Sequence, residues 1–128
     1  DINLNDLIKS KKKNTIGSIA LIKNNSNKDN KKLNNLKISD NILSYSKNAS
    51  LMNGGIYYFK KDIFKYIQNK NISLENEILP ELINKKIICG KKFNEFFLIL
   101  AHLKIFLKQI NFYINISLSQ QHFWIEMV

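Results

Sequence analysis

The sequence predicts an α/β fold with an inserted antiparallel hairpin. Three observations carry that expectation. Short runs rich in β-branched and aromatic residues alternate along the chain with segments of helical spacing. Two of those runs flank Ser39-Asp40-Asn41, residues that suit a tight turn. And 45% of the 128 residues are hydrophobic, which is enough for one core.

The elements follow in order. Leu4, Leu7 and Ile8 recur at helical spacing, and a lysine run follows them, so a helix is predicted over 4–12. IGSIALI, at 16–22, reads as a strand. Residues 24–32 form a polar, lysine-rich loop. Residues 33–38 and 42–46 pair as the hairpin. A strand follows over 51–59. A short helix over 61–67 puts Ile63, Phe64 and Ile67 on one face. Ser73 is a good N-cap for the next helix, and Glu75 and Glu77 sit in its first turn, where the helix dipole favours them. Pro80 kinks or restarts that helix. Ile87 and Ile88 form a short strand, Gly90 turns, and a further strand opens at Phe96.

Composition bounds the function. The net charge of +10 first points to a polyanionic partner. Yet all 20 basic residues are lysine. Specific recognition of bases and phosphates leans on the arginine fork, which lysine cannot copy. The richness in Lys, Asn and Ile also fits an AT-rich coding sequence. No specific nucleic-acid partner is therefore expected. A single cysteine, Cys89, rules out an internal disulfide framework and fits a reducing, cytoplasmic setting. The most apolar window, 96–107, is too short and too polar to span a bilayer, so no membrane partner is expected. His102 and His122 stand alone, without metal-ligand spacing.

The stretch 51–97 is the most informative. Asn53-Gly54-Gly55 precedes Ile56, Tyr57, Tyr58 and Phe59. Glycines at the start of a strand serve either as a bulge or as a surface where a ligand lies against backbone. Residue type alone favours the bulge.

The order DINLNDLI, ILSYSKN, LMNGGIYYFKKDIF, ISLENEILPELI and GKKFNEFF resembles the sugar-1-phosphate nucleotidyltransferases. It is most similar to their branch acting on mannose- and heptose-type sugars. The resemblance covers residues 1–97. It implies the C-terminal, sugar-binding part of a Rossmann-like domain. The activity it implies is transfer of a nucleotidyl group from a nucleoside triphosphate to a sugar 1-phosphate, assisted by Mg²⁺. The product would be a GDP-heptose or GDP-mannose type sugar. It further implies that Asn53 and Gly54 hold the sugar and that Lys47 meets the sugar phosphate. The family's Glu before that lysine is absent here, where the chain reads Ser46-Lys47-Asn48. Glu75 matches a family acidic position. The family's glycine-rich nucleotide loop and first metal carboxylate would lie before Asp1. No catalytic residue and no metal ligand is therefore expected among these residues, and the chain alone is expected to be inactive. A basic interaction module and a subunit of a split enzyme are the alternatives.

The resemblance breaks after Phe97. The family continues as FFLDIGTPED, with the Asp a metal ligand, whereas this chain reads Leu98-Ile99-Leu100-Ala101-His102. A shift of one nucleotide reconciles the two, because codons for ILAHLKIF with a preceding G can be read as DIGTPEDF. The chain end tests this more strictly, since Trp and Met have one codon each. In the same shifted frame HFWIEMV must contain Leu, Asp and Gly, and permits FLDRDG. That resembles the nucleophile motif of haloacid-dehalogenase-type phosphatases. Residues 98–128 are therefore expected to be an out-of-frame tail, in which His102, Trp124 and Glu126 carry no chemistry. The competing expectation is a genuine tail, with an amphipathic helix over 98–108 and a strand over 112–118.

Overall fold

In the computed structural model, residues 4–24, 34–67, 72–109 and 122–126 are described. Most of the expected loop and the expected strand at 112–118 lie outside them.

The fold is mixed α/β. Strands β1 (Gly17–Lys23), β2 (Asn34–Ser39), β3 (Ile42–Tyr45), β4 (Leu51–Lys60), β5 (Ile88–Lys92) and β6 (His122–Glu126) are accompanied by helices α1 (Asn5–Lys9), α2 (Leu79–Asn84) and α3 (Glu95–Gln109). The strand order is β1-β5-β3-β2-β4-β6, and β1 also pairs with β4. Five strands thus close on themselves, and β6 adds to the outer half of β4. The closure is narrow at one point, where the ladder between β3 and β5 has a single register pair, Ile42 with Cys89. β1 and β5 are parallel, and the other pairs are antiparallel.

β1 is the central strand because both of its faces are apolar. Ile19 and Leu21 pack into one cluster with Leu36, Leu43, Tyr57, Phe59, Ile88 and the α2 residues Leu79, Leu82 and Ile83. Ala20 enters a second cluster with Ile56, Tyr58, Leu7 of α1, and Leu98 and Ala101 of α3. Alternation along a strand sends neighbouring side chains to opposite faces, so a strand buried on both is mostly apolar, and the one buried polar side chain of β1, Ser18, is hydrogen-bonded to the Ser10 hydroxyl.

The hairpin turns as its residues require. Asp40 and Asn41 have φ of 51° and 65°. That left-handed pair is the type I′ geometry that matches strand twist, and Asp and Asn tolerate it better than most residues. Ser39 pairs with Ile42 directly across it.

Ser73 caps the following segment as expected, its hydroxyl accepting from the Asn76 amide at 3.2 Å. Pro80 lies in the first turn of α2, which follows directly on a π-turn over Leu74–Ile78.

Three local expectations are corrected. The strand expected to open at Phe96 is instead α3, which begins at Glu95 and runs without a break through Leu98. Asn94 starts it, its side-chain oxygen accepting from the Phe96 amide at 2.8 Å. The segment after β4 is a 3-10 helix, Lys61–Lys65, whose tighter period buries Ile63 and turns Phe64 outward, half exposed. Gly90 does not turn but lies inside β5, where a Cβ would stand 2.7 Å from Leu43 Cδ2. No helix among the described residues is long and apolar enough to cross a membrane.

Candidate functional site

The site forms where β4 departs from regular pairing. Leu21 of β1 faces Asn53, but Ile19, two residues earlier, faces Tyr57, four residues later. β4 therefore carries two extra residues opposite Ala20, and Gly54, Gly55 and Ile56 bulge out. Gly55 supplies the left-handed backbone, with φ of 81°. Asn53 braces the bulge, its Oδ1 accepting from the Gly55 amide at 2.8 Å.

The other end of the same amide reaches out. Asn53 Nδ2 donates to the Tyr57 hydroxyl at 2.8 Å, and that hydroxyl donates to Glu75 Oε1 at 2.8 Å. Asn53, Tyr57 and Glu75 thus form one row joining β4 to the π-turn. Burial raises the Tyr57 hydroxyl well above the usual tyrosine range. The hydrogen bond and charge of Glu75 push the same way, while Asn53 opposes them. The hydroxyl therefore keeps its proton near neutral pH, and the row is suited to hydrogen bonding rather than proton transfer. Glu75 is only partly buried, and its second oxygen takes no part in the Tyr57 bond. A carboxylate and an amide side by side suit sugar hydroxyls, which both donate and accept.

Glu75 was expected to serve the start of the helix. It does lie in the first turn. The reciprocal bond to the cap, however, belongs to Glu77, whose Oε2 accepts from the Ser73 amide at 2.8 Å.

Gly54 lies on the other side of the bulge. A Cβ there would stand 2.5 Å from Leu98 Cδ1 and 2.8 Å from the Ala20 carbonyl oxygen. Its own carbonyl oxygen lies 2.8 Å from His102 Nε2 and accepts from it when that nitrogen carries the proton. The backbone surface assigned to a sugar by resemblance is thus covered here by α3. Lys47 is exposed on the turn between β3 and β4, and takes no part in the bonds that join Asn53, Tyr57 and Glu75.

Two residues of the site were not singled out by sequence. Tyr57 reads as one more aromatic in an apolar strand, and His102 as an isolated histidine. Strand alternation together with the glycine pair holds the sequence signal for Tyr57, since residues four apart share one face of a strand and the bulge between them draws Asn53 and Tyr57 together. A magnesium ion needs several hard oxygen ligands. Among the described residues no three His, Cys, Asp or Glu side chains come together as a group that could hold a metal ion.

No family model, curated protein or solved structure matches the chain.

Proposed function

We propose that this chain is the sugar-binding half of a sugar-1-phosphate nucleotidyltransferase with a Rossmann-like domain. Its nearest type is D-glycero-D-manno-heptose 1-phosphate guanylyltransferase, with mannose the alternative sugar. In the intact enzyme a sugar 1-phosphate oxygen attacks the α-phosphate of the nucleoside triphosphate and pyrophosphate leaves. Positioning and charge stabilisation supply most of the rate in such a transfer.

One observation supports this reading above the others. The two segments that carry the resemblance, NGGIYY and SLENEILP, are bonded to each other through Tyr57 and Glu75. They bring an amide, a hydroxyl and a carboxylate together, groups of the kind that bond sugar hydroxyls. In the same reading, residues 98–128 are translated out of frame, and the carboxylates that would hold Mg²⁺ are not part of this chain.

Two experiments test it. Sequencing the coding DNA should show that a one-nucleotide shift near the Leu98 codon restores DIGTPED and then DRDG; a gene in which no such shift does so overturns the frame argument. Saturation-transfer NMR of the purified chain with heptose 1-phosphate and mannose 1-phosphate should show weak binding by at least one, lost in Asn53→Ala. No transfer to either sugar phosphate, or equal transfer to the variant, overturns the sugar-binding assignment. Formation of a GDP-sugar by the 128-residue chain alone would contradict the expectation of inactivity.

A further inference from the structure

We infer that α3 joins the chain to a second copy of itself through an antiparallel helix pair. One side of α3 is spent on the domain: Leu98 and Ala101 are buried against β4 and α1, and Phe97 stacks on Phe93 with ring centroids 5.0 Å apart. The opposite side carries Phe96, Ile99, Leu103 and Phe106, with Leu107 beside them. All are more than half exposed, at 67%, 59%, 52%, 52% and 57%. Among the described residues no element packs on that side.

The spacing identifies the partner. Residues 96, 99, 103 and 106 are separated by three, four and three positions, the repeat of a helix–helix seam. That spacing is symmetric about residue 101, and so are the residue types. An antiparallel copy therefore sets Phe96 against the other Phe106, and Ile99 against the other Leu103. The surface is complementary to itself, as a two-fold interface must be. Antiparallel pairing also opposes the two helix dipoles.

The area sets the strength. With more than half of each side chain still exposed, the five offer on the order of 500–600 Å² per protomer, given roughly 200 Å² for a large apolar side chain. A pair would bury about 1,000–1,200 Å², the size of weak and transient interfaces, so the dimer is a reversible one. This inference is independent of the sugar-binding assignment and holds whichever frame encodes α3, because it rests only on the side chains present.

Sedimentation velocity across a dilution series of the full chain tests it. A reversible monomer–dimer equilibrium is expected, shifted to monomer in Leu103→Lys with an unchanged circular dichroism spectrum. An exposed site makes that substitution compatible with folding. Orientation is read by mixing equal amounts of Ile99→Cys and Leu103→Cys chains under mild oxidation, where mixed disulfides should form well above the half of all disulfides that random pairing gives. A chain monomeric up to millimolar concentration, open-ended association instead of a dimer, or a predominance of like disulfides each overturns the proposal.

Discussion

The Tyr57 hydroxyl donates a 2.8 Å hydrogen bond to Glu75, a residue 18 positions further along the chain. That bond links the β4 bulge to the π-turn through polar side chains, and it passes through a hydroxyl that also accepts from Asn53. Tyr57→Phe keeps the ring, which stacks on Phe59 at 5.8 Å between centroids, but removes both bonds. Leaving Asn53 Nδ2 without this acceptor in a part-buried position costs about 1–2 kcal/mol. Urea unfolding should show that loss. Glu75→Gln should cost less, because the amide oxygen still accepts. Equal losses in the two variants would mean that the charge, rather than the bond, matters.

Stability should fall at alkaline pH. Burial pushes Tyr58 up to about 12 and raises Tyr45, and Tyr57 is raised further by burial and Glu75. The ordinary tyrosine value is about 10. Between that value and the folded values the native state holds more protons than the unfolded state, so stability declines with rising pH. The contribution of these hydroxyls is whole below about pH 10 and is lost above it as pH climbs through the folded values. Denaturation midpoints measured from neutral pH to pH 11 should be flat with respect to tyrosine until about pH 10 and then drop. In Tyr57→Phe the drop should be shallower.

The hairpin turn offers a test of backbone conformation alone. Asn41 has φ of 65°, and its carbonyl accepts from the Gly90 amide at 2.9 Å, which ties the turn to β5. Asn41→Gly relieves the left-handed strain without touching that carbonyl and should raise the melting temperature slightly. Asn41→Val should cost about 1–2 kcal/mol, since a β-branched residue resists that conformation. If both variants melt alike, the turn does not constrain the sheet.

Much of this was legible because local chemistry and fold agree. Asp40 and Asn41 announced the hairpin, Ser73 the cap, and the apolar run 16–22 the central strand. The misread places are those where packing decides. Phe96 and Phe97 favour a strand by residue type, but Asn94 caps a helix start, and Leu98 and Ala101 find a buried surface at helical spacing. Gly90 suggests a turn, whereas here it makes room for Leu43 against β5. Asn53 and Gly54 were singled out by the resemblance, whereas the glycine pair by residue type alone pointed to the bulge. Glu75 and His102 reach β4 from the π-turn and α3, and that tertiary packing is not contained in any local spacing of the sequence.

The contact between Gly54 and Leu98 allows the packing of α3 to be measured. Gly54→Ala would place a Cβ 2.5 Å from Leu98 Cδ1 and 2.8 Å from the Ala20 carbonyl oxygen. The side chain can move, but the backbone oxygen of a central strand cannot move far. The substitution should cost about 1–3 kcal/mol by overpacking. Leu98→Ala alone empties a buried position and should cost about 2–5 kcal/mol. Together the two should cost less than their sum, because the shortened residue 98 makes room for the new methyl group. A coupling on the order of 0.5–1 kcal/mol is expected. Only part of the Gly54→Ala cost is recovered, since Ala20 still opposes it. If Leu98→Ala is neutral and the two changes simply add, α3 does not rest on the bulge. The Gly54 backbone would then be open to a ligand rather than covered by residues 98–102.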